Sequence, residues 1–193
     1  MCEDIETRRL QLRHFTLNDT DDLYRIYRHR KLFKYMSDEK PLLREQARGL
    51  IHSLTETWQQ HGFGVWAIVY KKHQKLIGHC GFKFLENTPE IQMGYLLLPS
   101  YWGMGLGTEA ASAALKYGFE ITQLERIVAI AKSENIASRR VMEKVGMKYE
   151  KDAYYYNNFV VYYSIKQEDY YSNLLKLNRF NEVKPLPNLI LAS

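Results

Sequence analysis

Cysteine is scarce in this chain. There are two, Cys2 and Cys80, with no CxxC pair and no Cys/His ligand spacing. A structural zinc site is therefore not expected, and no metal is assigned. Two isolated thiols fit a reducing cytoplasm. No run of about 18 apolar residues occurs, so no membrane span is expected. The opening Met-Cys-Glu-Asp-Ile-Glu is acidic and lacks the basic and apolar regions of a signal peptide. Internal repeats and low-complexity linkers are also missing. Charge of one sign is not concentrated: 27 Lys and Arg stand against 22 Asp and Glu, a formal net charge of +5. That excess favours anionic ligands without selecting one. The densest basic clusters, Arg25 to Lys31 and Lys71 to His73, are short and read as solvated surface. Neither a nucleic-acid nor a membrane partner is expected.

What the chain does have is the composition of one globular domain. Its 193 residues are 46% hydrophobic and 25% charged, and 15 tyrosines argue against disorder. Residues 8–15 alternate polar and apolar as a strand does. Asn18 or Thr20 is a potential cap for a helix carrying Leu23, Ile26 and Tyr27. Residues 41–60 predict a second helix, with Pro41 in its first turn and Leu43, Ala47, Leu50, Ile51 and Leu54 along one stripe. Strands are predicted at 63–70, 75–85 and 90–98, the first two joined by a polar turn at 71–74. A helix follows from about Thr108 to Thr122, with Ala110, Ala111, Ala114, Leu115, Gly118 and Phe119 on one face. A short strand runs from Glu125 to Ala131. Residues 135–145 form another helix that Gly146 stops. Two last strands, near 147–156 and 159–167, form a hairpin turning at Asn157-Asn158. The order is that of an α+β architecture with a mixed sheet. We divide the chain into a domain at 1–168 and a C-terminal extension at 169–193, able to pack on its own sheet or to support a homodimer.

The stretch Leu98-Pro-Ser-Tyr-Trp-Gly-Met-Gly-Leu-Gly-Thr-Glu-Ala-Ala111 carries the chemistry. A strand runs into three alternating glycines, and a helix opens directly after them. Such a loop aims several backbone N–H groups at one spot, and the helix dipole adds positive potential there. Glycine permits close approach and left-handed dihedrals. The physical expectation is an anion site suited to phosphate or pyrophosphate; a turn serving geometry alone is the plain alternative. Gly107-Thr108-Glu109 lacks the lysine of a Walker loop. The dinucleotide fingerprint fits at Gly103 and Gly105 but meets Thr108 at its third position.

Two segments together resemble the GNAT acetyltransferase superfamily. One is Gly94-Tyr95-Leu96 leading into Pro99-Ser-Tyr-Trp-Gly-Met-Gly-Leu-Gly-Thr-Glu-Ala110; the other is Asn135-Ile-Ala-Ser-Arg-Arg-Val-Met-Glu-Lys-Val-Gly-Met147. Trp102 stands where the family usually has Gln or Arg. Aromatic-Trp-Gly is common in the branch that includes ribosomal-protein N-terminal acetyltransferases, so this sequence is most similar to that branch. The resemblance spans about residues 7–168. It implies the GNAT fold, a mixed central sheet of about seven strands with helices on both faces.

The resemblance also implies acetyl-CoA as cosubstrate. The amides of Gly103, Met104, Gly105, Leu106, Gly107 and Thr108 would take the pyrophosphate. The backbone of Leu96, Leu97 and Leu98 would pair with the pantetheine arm, across a sheet that splays before residues 125–131. Asn135 and Ser138 match the family's Asn-x-x-Ser/Ala motif, although Ser133 or Asn135 can equally cap the helix. Arg139 or Arg140 can reach the adenosine phosphate or simply be solvated. The expected reaction is direct attack by a primary amine in a ternary complex. An α-amino group, near pKa ~8, needs less deprotonation than a lysine near ~10.4. Glu90, at the start of a strand, is the candidate general base, with a surface Glu beside Pro89 as the plain alternative. Position 142, where many members carry Tyr, is Met and cannot donate a proton. Ser138 matches a serine assigned to the leaving thiolate in the ribosomal-type branch. The six histidines show no mutual spacing and read as surface or core. Two other functions stay open: an acyl-CoA-binding module of this fold without efficient turnover, and a nucleotide-binding protein.

Overall fold

The computed structural model describes residues 4–35 and 41–182. Cys2 and the prolines at 185 and 187 lie outside the described residues. Strands β1 (Ile5–Glu6), β2 (Leu10–Arg13), β3 (Val65–Tyr70), β4 (Lys75–Phe84) and β5 (Ile91–Leu97) pair antiparallel in sequence order. Strand β6 (Arg126–Lys132) lies parallel to β5. Beyond it comes β8 (Asn158–Lys166) and then β7 (Lys148–Tyr155) at the edge. The sheet therefore has eight strands in the order β1-β2-β3-β4-β5-β6-β8-β7. The expected mixed sheet and α+β class hold; β1 exceeds the expected count because two residues carry no detectable alternation.

Helices lie on both faces, and alternation along the strands explains why. On one face, α4 (Leu106–Lys116) buries Ala110, Ala111, Ala114 and Leu115 against Leu10, Leu12, Phe82, Met93 and Leu97. Its small side chains bring it close to the sheet. Helix α5 (Ile136–Lys144) packs beside it through Met142. On the other face, α1 (Thr20–Tyr27) and α3 (Arg44–His61) bury Leu23, Ile26 and Ile51 with Phe15, Ala67 and Leu76. Burial of a side chain of this size contributes about 1.5–3 kcal/mol.

Several local expectations shift. The N-cap position of α1 is Asp19 rather than Asn18 or Thr20, and its side chain does not bond the helix amides. Its buried carboxylate accepts Arg13 Nη1 and Nη2 at 2.8 and 2.7 Å and the Thr16 amide at 2.8 Å. Helix α3 starts at Arg44, after Pro41, and Leu43 is exposed outside the stripe. A four-residue helix α2 (Arg30–Phe33) is added, too short for periodicity to reveal. The predicted 108–122 helix ends at Lys116 and continues as a π turn to Ile121. The hairpin turns at Tyr156 and Asn157, both left-handed with φ of 50° and 58°. The primed two-residue turn matches strand twist, which is why the chain accepts this geometry.

The chain after β8 is helix α6 (Gln167–Glu182), which returns to its own domain. Tyr170 packs on Phe119 at 4.9 Å between ring centroids and donates to Glu120 Oε1 at 3.0 Å. Lys148 pairs with Asp169 at 2.8 Å. Among the described residues no helix is long and apolar enough to cross a membrane.

Candidate active site

Strands β5 and β6 are joined at one position, Gln92 opposite Val128. By contrast β6 pairs with β8 along its whole length, from Arg126 to Lys132. Past Gln92 the two parallel strands diverge and leave a gap in the sheet. The Leu98 amide is spent on Ile77 O at 2.8 Å, and Leu85 N–H on Glu90 O at 2.8 Å. Antiparallel pairing alternates the direction of successive amides. Even-numbered residues of β5 therefore face β4, while Tyr95 and Leu97 turn their amides toward the gap. Of the three residues expected to meet pantetheine through their backbone, only Leu97 has its amide on that side. Its carbonyl already accepts Trp102 Nε1–H at 2.7 Å. This gives Trp102 a structural task at the position where the family usually has Gln or Arg.

The glycine loop lies at the open end of the gap. Gly103 and Gly105 both have φ of 74°, and Gly105 precedes the first residue of α4. A left-handed backbone at this point costs a residue with a Cβ about 1 kcal/mol or more. Among the described residues, none of the amides of Gly103, Met104, Gly105, Leu106, Gly107 and Thr108 donates to a protein acceptor. They are the unpaired donors of a loop and of a helix's first turn. Leu106 is fully buried, backbone included, so the exposed donors of this set are those of its neighbours.

A side-chain clasp fixes this loop. Glu109, in the first turn of α4, accepts Thr7 Oγ1–H at 2.7 Å, the Arg9 amide at 2.8 Å and Arg9 Nε–H at 2.6 Å. Arg9 Nη1 donates to the Met104 carbonyl at 2.7 Å. The turn between β1 and β2 thus holds the loop through one ion pair. Separation in sequence by 100 residues hid this from the sequence.

On the far wall, Asn135 caps α5: its Oδ1 accepts the Ser138 amide at 3.1 Å. The capping role is therefore filled by Asn135, not Ser133. Ser138 is half-buried and meets Tyr95 of β5, whose hydroxyl lies 3.0 Å from Ser138 Oγ and 2.8 Å from Ser138 O. Burial pushes the Tyr95 phenol well above its usual pKa, so it stays protonated. Arg139 donates to Ser133 O at 3.3 Å and reaches Tyr163 Oη at 3.5 Å, while Arg140 is exposed. Met142 is fully buried in the core under α4, which explains why that position carries no hydroxyl.

Glu90 stands just before β5, next to the closed end of the gap. It is not a free carboxylate: one oxygen pairs with Arg126 and the other accepts Tyr162 Oη–H at 2.7 Å. Arg126 also forms a fork with Glu150 at 2.9 and 2.8 Å. Glu90 and the gap are thus adjacent, but Glu90 enters any proton transfer from an ion-paired state.

The face opposite α4 carries Gln92, Tyr156 and His79. Tyr156 donates to Gln92 Oε1 at 3.1 Å and accepts the Glu86 amide at 3.2 Å, which pins the β7–β8 hairpin onto β5. His79, opposite Leu96 in the strand pairing, lies 2.9 Å through Nε2 from Tyr27 Oη. Its Nδ1 is shut off from solvent and has no partner. Burial, aided by Lys83, pulls this imidazole down to about 4. No local pattern signals it, because the pairing to Tyr27 spans 52 residues. Cys80, on the other face, is buried, with its thiol pushed up to about 12 by desolvation.

A sheet parted between two parallel strands, with a glycine loop of unpaired amides entering a helix beside the gap, makes an anion-binding cleft. The family model for the acetyltransferase (GNAT) domain matches residues 9–148. The chain belongs to the GNAT acetyltransferase family. It is 34% identical over 148 residues to the uncharacterized N-acetyltransferase YnaD of Bacillus subtilis (strain 168), covering 76% of this chain and 83% of that one. An acetyltransferase of the GNAT family from Bacillus anthracis shares the fold with a TM-score of 0.71 and 29% identity, over 86% of this chain and 99% of that one. The ribosomal L7/L12 α-N-protein acetyltransferase RimL, solved in complex with coenzyme A, superimposes with a TM-score of 0.74. Its identity is 19%, over 85% of this chain and 98% of that one, so it speaks for the fold alone.

Proposed function

We propose that this protein transfers an acetyl group from acetyl-CoA to a primary amine, either the α-amino group of a protein or peptide or a small amine, by direct attack in a ternary complex. The observation that carries this is the set of unengaged amides from Gly103 to Thr108, held at the N-terminus of α4 beside the gap between β5 and β6. An anionic diphosphate satisfies such donors, and the helix dipole adds to the attraction. Pantetheine, which carries amides, suits the backbone groups that Tyr95 and Leu97 turn toward the gap.

Leu97 N–H is the backbone donor on that side for the developing oxyanion. Loss of one such donor typically costs about 100- to 1000-fold in rate. Glu90 is the acidic residue at the closed end, and it takes the amine proton through water while Arg126 and Tyr162 hold it. Asn135 offers its Nδ2, since its Oδ1 serves the cap. Ser138 faces the leaving sulfur. The acceptor enters over the face bearing His79, Gln92 and Tyr156, between α1, α3 and the β7–β8 hairpin. The reaction takes place in a reducing cytoplasm, and no metal takes part.

The test is calorimetric titration with acetyl-CoA, followed by thiol release with a panel of N-terminal peptides, lysine peptides, polyamines and aminoglycosides. Micromolar binding with turnover on one acceptor class is expected. Binding without turnover on any acceptor would favour an acyl-CoA-binding module, a role compatible with the ion-paired Glu90. No binding of acetyl-CoA at millimolar concentration would refute both.

A further inference from the structure

The hydroxyls of Tyr95 and Ser138 come from the two walls of the gap. Tyr95 belongs to β5, and Ser138 to the first turn of α5, which follows β6. The phenol oxygen lies 2.8 Å from Ser138 O and 3.0 Å from Ser138 Oγ. Two hydroxyl hydrogens are thus shared among three oxygens, and each can rotate.

Two arrangements satisfy this geometry. In the first, Tyr95 O–H donates to the Ser138 carbonyl and Ser138 O–H donates to the Tyr95 oxygen. Both groups are then satisfied without a ligand. In the second, Tyr95 O–H turns to Ser138 Oγ, and Ser138 O–H is released to point into the gap. Tyr95 keeps a hydrogen bond in both, so exchange costs little. The second arrangement makes a chain, Tyr95 O–H to Ser138 O–H to an anion, and such chains strengthen each member. Ser138 also lies in the first turn of a nine-residue helix, whose dipole favours negative charge there. Burial keeps the Tyr95 phenol protonated, so it serves as a fixed donor.

We propose that Tyr95 is a positioning residue that turns the Ser138 hydroxyl onto the sulfur of coenzyme A and stabilises the departing thiolate. This rests on the acetyl-CoA reading above. In the transfer, the amine lone pair forms the C–N bond, the C–S bond breaks with its electron pair on sulfur, and the amine proton leaves through water toward Glu90. The sulfur is left as an anion, and the two hydroxyl hydrogens rotate toward it without being transferred. The pair supplies what Met142, buried in the core, cannot.

The test uses coenzyme A itself, whose free thiol titrates near ~8.5 like other thiols. Thiolate absorbance of the bound cofactor is followed against pH, in a Cys2→Ser background; Cys80 ionises far higher and does not interfere. The thiol pKa is expected to fall by about one unit on binding to the otherwise unaltered chain, a tenfold change. Tyr95→Phe keeps the ring and should reverse at least half of that fall. Ser138→Ala should reverse at least as much, leaving only what the dipole of α5 contributes, and the double variant should match Ser138→Ala alone. Affinity for coenzyme A at pH 6, where the thiol is protonated, should stay within about twofold. A Tyr95→Phe chain that titrates like the parent, or whose effect adds to that of Ser138→Ala, overturns the proposal while leaving the acetyltransferase reading intact. Should Tyr95→Phe not fold, Ser138→Ala decides alone: a bound thiol shifted as far in that variant as in the parent overturns it. A parent chain that fails to bind coenzyme A removes both readings.

Discussion

Replacing His79 with Gln should flatten the acid side of the stability curve. The imidazole is enclosed on β4, with Nε2 against Tyr27 and Nδ1 facing no partner. Burial is the main cause of its lowered pKa, and Lys83 adds a smaller repulsion. The ordinary value of 6.5 drops to about 4 in the folded chain. Between those values the unfolded chain binds the extra proton, so stability rises with pH across that window. Each unit is worth about 1.4 kcal/mol, so the folded state should lose about 3 kcal/mol from this one group between pH 7 and pH 4. Gln can keep the bond to Tyr27 but does not titrate. Chemical denaturation of both chains at half-unit intervals isolates the effect, because carboxylate titrations are common to both and cancel. The stability advantage of the parent over the variant should shrink by about 3 kcal/mol on going from pH 7 to pH 4. In a thermal scan that corresponds to roughly 6–12 °C for a chain of this size. Curves that stay parallel within 1 kcal/mol would refute the assignment of a desolvated, neutral imidazole.

Other perturbations test the remaining structure. Gly78→Ala should cost at least about 2 kcal/mol in denaturant unfolding, because an added Cβ would lie 1.9 Å from the Leu96 carbonyl and force β4 and β5 apart. Arg9→Lys should raise the KM for acetyl-CoA about five- to tenfold with kcat within about threefold, since it loosens the loop without touching the reacting atoms; the half-exposed ion pair limits the effect. Asp19→Asn should destabilise by about 1–3 kcal/mol at pH 7. Burial opposes ionisation of that carboxylate, but the bonds from Arg13 and Thr16 win and hold its pKa below 3.8, so the penalty should persist above about pH 4 and fade below it. Glu90→Gln should lower kcat at neutral pH in the thiol-release assay by at least about tenfold, since an amide cannot take the amine proton.

Much of the fold could be read from the chain because its apolar runs are long and polar turns bound them. The meander from Val65 to Leu97 and the alanine-rich face of α4 follow from side-chain spacing alone. The two residues of β1, the single turn of α2 and the π turn after Lys116 carry too little periodicity to be seen. The glycine loop was legible because its chemistry is that of the backbone, and glycine announces backbone exposure. The partners of Glu90 were not, since Arg126 is 36 residues away and Tyr162 is 72. The same holds for Tyr95 and Ser138, which are 43 residues apart. Contacts of that range are set by how the sheet closes, and no local pattern encodes them.

Among the described residues, one rung, Gln92 to Val128, is all the backbone pairing between the first five strands and the last three. On the proposed function, acetyl-CoA would lie along this line of thinnest backbone pairing. Acetyl-CoA bound there would act as mortar between two slabs, stabilising the folded chain by an amount that grows with the logarithm of its concentration. Copies in a cell rich in acetyl-CoA should resist opening and proteolysis, while starved copies should part along this joint first. How long the enzyme survives is thereby coupled to the supply of what it consumes.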